Sequence, residues 1–138
     1  MNPDYKALIH EALRVRENAY APYSGFRVGA ALLAKDGTIY TGCNVECASF
    51  SATNCAERTA LFKAVSEGKR KFCALAIVGG KGDPEKNGII APCGVCRQML
   101  YEFCGEKLDI VMAQDEEHFT LCTLGELLPV GFGPQALL

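Results

Sequence analysis

The chain has no excess of charge of either sign. Among its 138 residues, 14 Lys and Arg face 16 Asp and Glu, the formal net charge is -2, and no stretch concentrates the basic residues. That removes the electrostatic footprint by which a protein follows a phosphate backbone or lies against an anionic bilayer, so neither a nucleic-acid nor a membrane partner is expected. No apolar run reaches the roughly 20 residues that a membrane span requires, and the opening Met1-Asn-Pro-Asp-Tyr-Lys lacks the basic-then-apolar order of a signal peptide. An unexported, cytoplasmic protein is the expectation. Histidine is scarce as well: His10 and His118 are the only two, their spacing is not that of ligands, and both are expected at the surface.

Apolar residues and cysteine are plentiful. With 49% hydrophobic residues the chain has material for one core, and its length suits a single domain over residues 1–138 with no linker. Eight cysteines would suggest a disulfide scaffold in a secreted protein, but here they are expected as thiols. Cys73, Cys104 and Cys122 lie inside apolar segments and read as core fillers.

Asn2-Pro3 supplies an N-cap and first helical position for an amphipathic helix with Tyr5, Leu8, Ile9, Ala12 and Leu13 on one stripe. Strands over 26–34 and 38–45 flank Lys35-Asp36-Gly37 as an antiparallel hairpin. A second helix, 55–67, follows the potential caps Ser51, Thr53 and Asn54, and the apolar run 72–78 reads as a central strand buried on both faces. A Gly-rich loop over 79–91, a helix over 94–103, a strand over 108–112 and a short strand running into a short helix over 120–128 complete the pattern, with an irregular tail from Pro129. The order α-β-β-α-β-α-β-(β)-α predicts an α/β domain of two or three layers with a mixed sheet.

Two segments carry chemistry: Cys55-Ala56-Glu57, opening one helix, and Pro92-Cys93-Gly94-Val95-Cys96, opening the next. Helix N-termini favour thiolates, the form a metal requires, so Cys55, Cys93 and Cys96 can converge on one ion. Three protein ligands leave the fourth tetrahedral position of Zn²⁺ open for water, the mark of a catalytic site, and Glu57 is then the proton carrier. An acid two residues after one ligand, with P-C-x-x-C downstream, is the pattern of zinc-dependent nucleobase deaminases, with Cys55 where others have His. Other readings stand beside it. Glu57 can close a capping box with Asn54; Cys93 and Cys96 can form a redox pair; and Cys43 and Cys47 can join them in a closed Cys₄ site, although four residues of extended chain span roughly 13 Å. Three thiolates call for nearby positive charge, which places Arg58 and Arg97, each directly following a motif, beside the sulfurs; their alternative is that of exposed helical arginines.

The chain resembles the small, homotetrameric type of cytidine deaminase, nearly end to end. The resemblance runs through Ala21-Pro-Tyr-Ser-Gly-Phe-Arg-Val-Gly-Ala-Ala-Leu, Gly42-Cys-Asn-Val-Glu, Asn54-Cys-Ala-Glu-Arg-Thr-Ala, Ala91-Pro-Cys-Gly-Val-Cys-Arg-Gln and Leu127-Leu-Pro. It implies a layered α-β-α fold, one zinc per chain, and hydrolytic deamination of cytidine and deoxycytidine in pyrimidine salvage. By the same resemblance, Phe26 packs on the pyrimidine, and Asn44 with Glu46 holds the ribose 3′-hydroxyl. The Ala56 N–H meets O2 and the Ala91 carbonyl meets the amino group. Glu57 takes a proton from water and returns protons to N3 and the leaving amine. A carboxylate at position 46 repels a 3′-phosphate, which favours a free nucleoside. Phe132 is the candidate for an aromatic residue that the family stacks in a neighbouring subunit's site. Phe50, where the family often has Tyr, and Cys47, where Asn is common, depart from the pattern. The rival readings are a deaminase of a nucleoside antibiotic of the blasticidin type, a nucleic-acid deaminase, and a non-catalytic domain with structural zinc.

Overall fold

Strand-period alternation gives the central sheet two unlike apolar faces. The structure, a computed structural model describing residues 3–83 and 87–138, contains α1 (Tyr5–Arg16), β1 (Phe26–Ala34), β2 (Ile39–Cys43), α2 (Ala56–Ser66) and β3 (Phe72–Lys81). These are followed by α3 (Gly94–Cys104), β4 (Asp109–Ala113), β5 (Phe119–Thr123) and α4 (Leu124–Leu127). Ala30 and Leu32 of β1 share a cluster with Leu75 and Ile77 of β3, whereas Ala31 shares the opposite cluster with Ala74, Ala76 and Val78. The register agrees, with Ala30 opposite Ile77 and Ala31 opposite Ala76.

The strand order is β2-β1-β3-β4-β5. Only β3 and β4 run parallel; the other neighbours are antiparallel, so the sheet is mixed and begins with the expected hairpin. A parallel pair needs a crossover, and the segment carrying α3 supplies it. On one face α1 buries Leu8, Ile9 and Ala12; on the other, Ala60, Leu61 and Ala64 of α2 join Leu100 of α3 and Leu124 of α4. The architecture is therefore three-layered, which resolves the choice that periodicity left open.

Two strand glycines set how closely the helices dock. A Cβ on Gly29 would lie 2.0 Å from the Ala12 carbonyl oxygen of α1, and one on Gly42 would lie 2.5 Å from the Ala56 carbonyl oxygen of α2. Gly42 thus brings the first turn of α2 directly onto β2.

Several boundaries differ from the sequence expectation. The N-cap of α1 is Asp4, whose Oδ1 accepts from the Ala7 N–H at 3.0 Å; Asn2 lies outside the described residues. β2 ends at Cys43, and β3 extends beyond Val78 to Lys81 because it continues to pair with β1 as far as Phe26. Cys73, Cys104 and Cys122 are half-buried against the two clusters, as apolar fillers should be. His10 and His118 are at the surface, each 2.9 Å from a carboxylate, Glu116 and Asp115 respectively. Among the described residues no helix is long and apolar enough to cross a membrane.

Candidate active site

The two helices that pack side by side on one face of the sheet both begin with cysteine. Cys55 is the N-cap of α2 and Cys93 the N-cap of α3, and neither makes the side-chain capping bond that Ser, Thr, Asp or Asn would make. Both sulfurs therefore belong to residues at the positive dipole ends of two helices, without serving as capping acceptors there. Cys96 follows one turn into α3 and is fully buried. The three Sγ atoms lie within 4.8 Å of one another, with Cys55 and Cys93 3.7 Å apart. With Zn–S near 2.3 Å, tetrahedral zinc separates its sulfur ligands by about 3.8 Å, so the donor set and its spacing fit zinc. Among the described residues this is the one group of His, Cys, Asp or Glu side chains arranged to hold a metal, and Cys43 and Cys47 are not in it. The closed Cys₄ reading is thereby corrected: these two residues belong to the end of β2 and the loop beyond it. The redox-pair reading leaves Cys55 unused, whereas the structure places it with the other two.

The electrostatics match a thiolate site. A hydrogen bond from the Cys96 thiol, followed by the Arg58 guanidinium, holds the Cys55 thiol down at about 5, and Arg58 Nη2 donates to Cys55 Sγ at 3.4 Å. Cys96, facing that thiolate in a buried position, is pushed upward. Arg58 therefore stands beside sulfur, as its position suggests. Arg97 does not: its Nε donates to the Pro92 carbonyl and its Nη1 to the Leu127 carbonyl, both at 2.7 Å. It corrects the expectation by fastening the approach to Cys93 and the end of α4, because the carbonyls of those two turns come closer to it than any sulfur.

Glu57 occupies the first turn of α2 and is only 3% exposed. Burial pushes its carboxyl up to about 7. The capping-box reading is corrected too, since the cap is Cys55 and not Asn54; Asn54 instead donates through Nδ2 to Thr59 Oγ1 at 3.0 Å, bracing the same turn.

A cavity of about 290 Å³ opens beside the sulfurs. This lies at the small end of ligand pockets. Cys55, Ala56, Glu57, Ala91 and Cys93 line it on the metal side, and Phe26, Asn44 and Glu46 line it on the hairpin side. Phe26, at the first position of β1, is 37% exposed, which leaves its ring available to a ligand. The Asn44 amide is tied to β1: Oδ1 accepts from the Val28 N–H and Nδ2 donates to the Phe26 carbonyl, both at 2.8 Å. One N–H and one lone pair of that amide remain for a ligand. The Glu46 carboxylate accepts from the Tyr23 and Ser24 amides and from the Ser24 hydroxyl, which holds it below the usual carboxylate range.

Phe132 does not line this cavity; it is 60% exposed, with its carbonyl accepting from Gln98 Nε2 at 2.7 Å. Phe50 is 75% exposed and packs edge-on against Tyr23 at 6.1 Å. Sequence reasoning missed Ser24, Val28, Thr53, Ile77 and Ile90 as wall residues. Ser24 alone carried a signal, its place in the Pro-Tyr-Ser-Gly turn; the apolar walls look like any core position.

Comparison with known proteins agrees with this geometry. Residues 2–112 match the family model described as the cytidine and deoxycytidylate deaminase zinc-binding region. A cytidine deaminase of Sporosarcina psychrophila is 48% identical over 134 residues, covering 97% of this chain and 95% of its own. The crystal structure of cytidine deaminase from Burkholderia pseudomallei superposes with a TM-score of 0.85 at 47% identity, covering 95% of this chain and all of that one. That of cytidine deaminase from Mycobacterium tuberculosis gives 0.82 at 39% identity, covering 96% and 99%. With its family-model match, its sequence identity to these enzymes and a fold in common with them, this chain belongs to the zinc-dependent cytidine deaminase family.

Proposed function

We propose that this protein hydrolyses cytidine and deoxycytidine to uridine and deoxyuridine with release of ammonia. The observation that carries the reading is the placement of Glu57, a buried carboxyl on the same helix turn as one of three converging sulfurs and on the wall of the same cavity. Zinc, held as one ion by Cys55, Cys93 and Cys96, supplies the Lewis acid that lowers the pKa of water toward neutrality.

Every other step belongs to the chain's own residues. Glu57 accepts one proton of the attacking water as oxygen adds to C4 of the pyrimidine and passes it to N3; it then takes the second proton from the oxygen now on C4 and delivers it to the exocyclic amine, which leaves as ammonia as C4=O forms. Its burial favours holding a proton, while the charge of a bound divalent cation pulls the other way, so the carboxyl is placed to exchange protons in both directions. Arg58 offsets thiolate charge through its bond to Cys55. Phe26 stacks on the base, the Ala56 N–H meets O2, and the Ala91 carbonyl meets the amine. Asn44 and Glu46 hold the ribose 3′-hydroxyl; a Glu46 kept ionised by its donors repels a phosphate there, so the substrate is a free nucleoside and not a nucleic acid.

We further infer a homotetramer in which Phe132 reaches a neighbour's site. Its exposure away from its own cavity supports this, as do the exposed Tyr23 and Phe50. We place the enzyme in the cytoplasm, in pyrimidine salvage; eight free cysteines suit a reducing compartment.

The test is the ultraviolet change on mixing protein with cytidine, beside a zinc assay and a chelator-treated control. Zinc-dependent uridine formation is expected. One zinc per chain without turnover would point instead to a nucleoside-antibiotic deaminase or a structural zinc site.

A further inference from the structure

The turn that precedes β1 does more than lead into the strand. Gly25 adopts φ +68°, a left-handed conformation that favours glycine, and its N–H donates to the Ala21 carbonyl at 2.9 Å. The turn so formed directs the amides of Tyr23 and Ser24 toward one carboxylate oxygen: Glu46 Oε1 accepts from Tyr23 N–H at 3.0 Å and from Ser24 N–H at 3.2 Å. The Ser24 hydroxyl donates to Glu46 Oε2. Its oxygen in turn accepts from the Phe26 N–H at 2.9 Å.

We propose that Ser24 is a positioning residue for substrate recognition, a single hydroxyl that ties the Phe26 backbone to the Glu46 carboxylate and so fixes the base platform relative to the sugar-binding group. The inference rests on the reading of Phe26 and Glu46 given above and deepens it. A serine hydroxyl has one proton, and here Glu46 takes it, so the direction of the chain is set: Phe26 N–H to Ser24 oxygen, Ser24 O–H to carboxylate. Two lone pairs of Glu46 Oε1 and one of Oε2 are occupied, which leaves one acceptor position on Oε2. That position takes a hydroxyl donor from the substrate and has nothing to offer an acceptor or an anion. Ser24, Phe26 and Glu46 all line the same cavity, so the arrangement meets the ligand directly.

The experiment measures kcat and KM of the zinc-loaded wild type, Ser24→Ala and Ser24→Thr with cytidine and with 3′-deoxycytidine. Ser24 is an exposed turn residue, so its replacement leaves the core intact; zinc content and melting temperature serve as the check on folding. Ser24→Ala is expected to raise KM for cytidine on the order of 5- to 10-fold, the scale of one hydrogen bond, with kcat within about twofold of wild type. With 3′-deoxycytidine the same variant matches wild type, and Ser24→Thr, which keeps the hydroxyl, restores cytidine binding. A wild type that discriminates between the two nucleosides, with Ser24→Ala weakening both equally or neither, would overturn the role of Ser24 alone. A wild type that binds both nucleosides alike would overturn the sugar-binding reading of Glu46 and the role of Ser24 with it.

Discussion

Cys55 and Cys93 are the N-caps of two different helices, and their sulfurs lie 3.7 Å apart. Each sits where a capping oxygen would ordinarily serve the helix, and each gives up that bond. The positive ends of two helices thereby come together at the site, and Arg58 adds a side-chain donor to Cys55 Sγ at 3.4 Å, an environment that favours thiolate.

Removing one of these sulfurs tests the ligand set. Cys55→Ala should lower the zinc content from one per chain to well below, since two thiolates hold the ion far more weakly than three, and should reduce the melting temperature of the zinc-treated protein. Metal analysis after dialysis against a weak chelator reads the outcome. Retention of one zinc per chain in this variant would contradict the assignment.

A methyl group pressed against the first turn of α2 should also impair the site. Gly42→Ala puts a Cβ 2.4 Å from the Ala60 amide nitrogen and 2.5 Å from the Ala56 carbonyl oxygen, so α2 must move off β2. A cost of about 1–3 kcal/mol is expected from denaturant unfolding. Because the displaced helix carries Cys55 and Glu57, turnover should fall by about tenfold or more even where folding is complete. Equal stability and turnover in the variant would show that the close approach is not needed.

Tyr5 provides a pH-dependent contribution on the opposite face of the sheet. Its hydroxyl donates to Asp109 Oδ2 at 2.6 Å, and that hydrogen bond, with burial, pushes the phenol up to about 12 from its ordinary value of 10. Between these values the unfolded chain has released the proton and the folded chain still holds it. The stabilisation is therefore complete below pH 10 and is lost as the pH rises through 12. Tyr5→Phe should cost about 1 kcal/mol at pH 7, a figure kept low because the pair is partly solvated, and its deficit should narrow across that window. A deficit independent of pH over the same range would reject the assignment.

Much of this fold is legible in the chain because alternation in β1 and β3 and the stripe of α1 report burial directly. The strand order is not legible, and the three layers follow from the resemblance and not from periodicity, since the faces of β1 differ only as Ala30 and Leu32 differ from Ala31. The metal ligands stand out because cysteine at two helix starts has few structural uses. Arg58 and Arg97 show the limit: both follow a motif, yet one meets sulfur and the other meets carbonyls, and only the packed turns decide which. Ser24 is hidden for a similar reason, as a serine in a turn before its partner 22 residues away is known.

The central claim is that three sulfurs hold the metal while a separate carboxyl moves the proton. The measurement that tests it most directly is zinc content and uridine formation in Glu57→Gln, made side by side with wild type. The account predicts one zinc per chain, an unchanged fold, and turnover reduced by about 10²–10⁴-fold or more, because the ligand geometry survives and the proton carrier does not. Wild-type turnover in this variant, or loss of zinc from it, would contradict the division of roles.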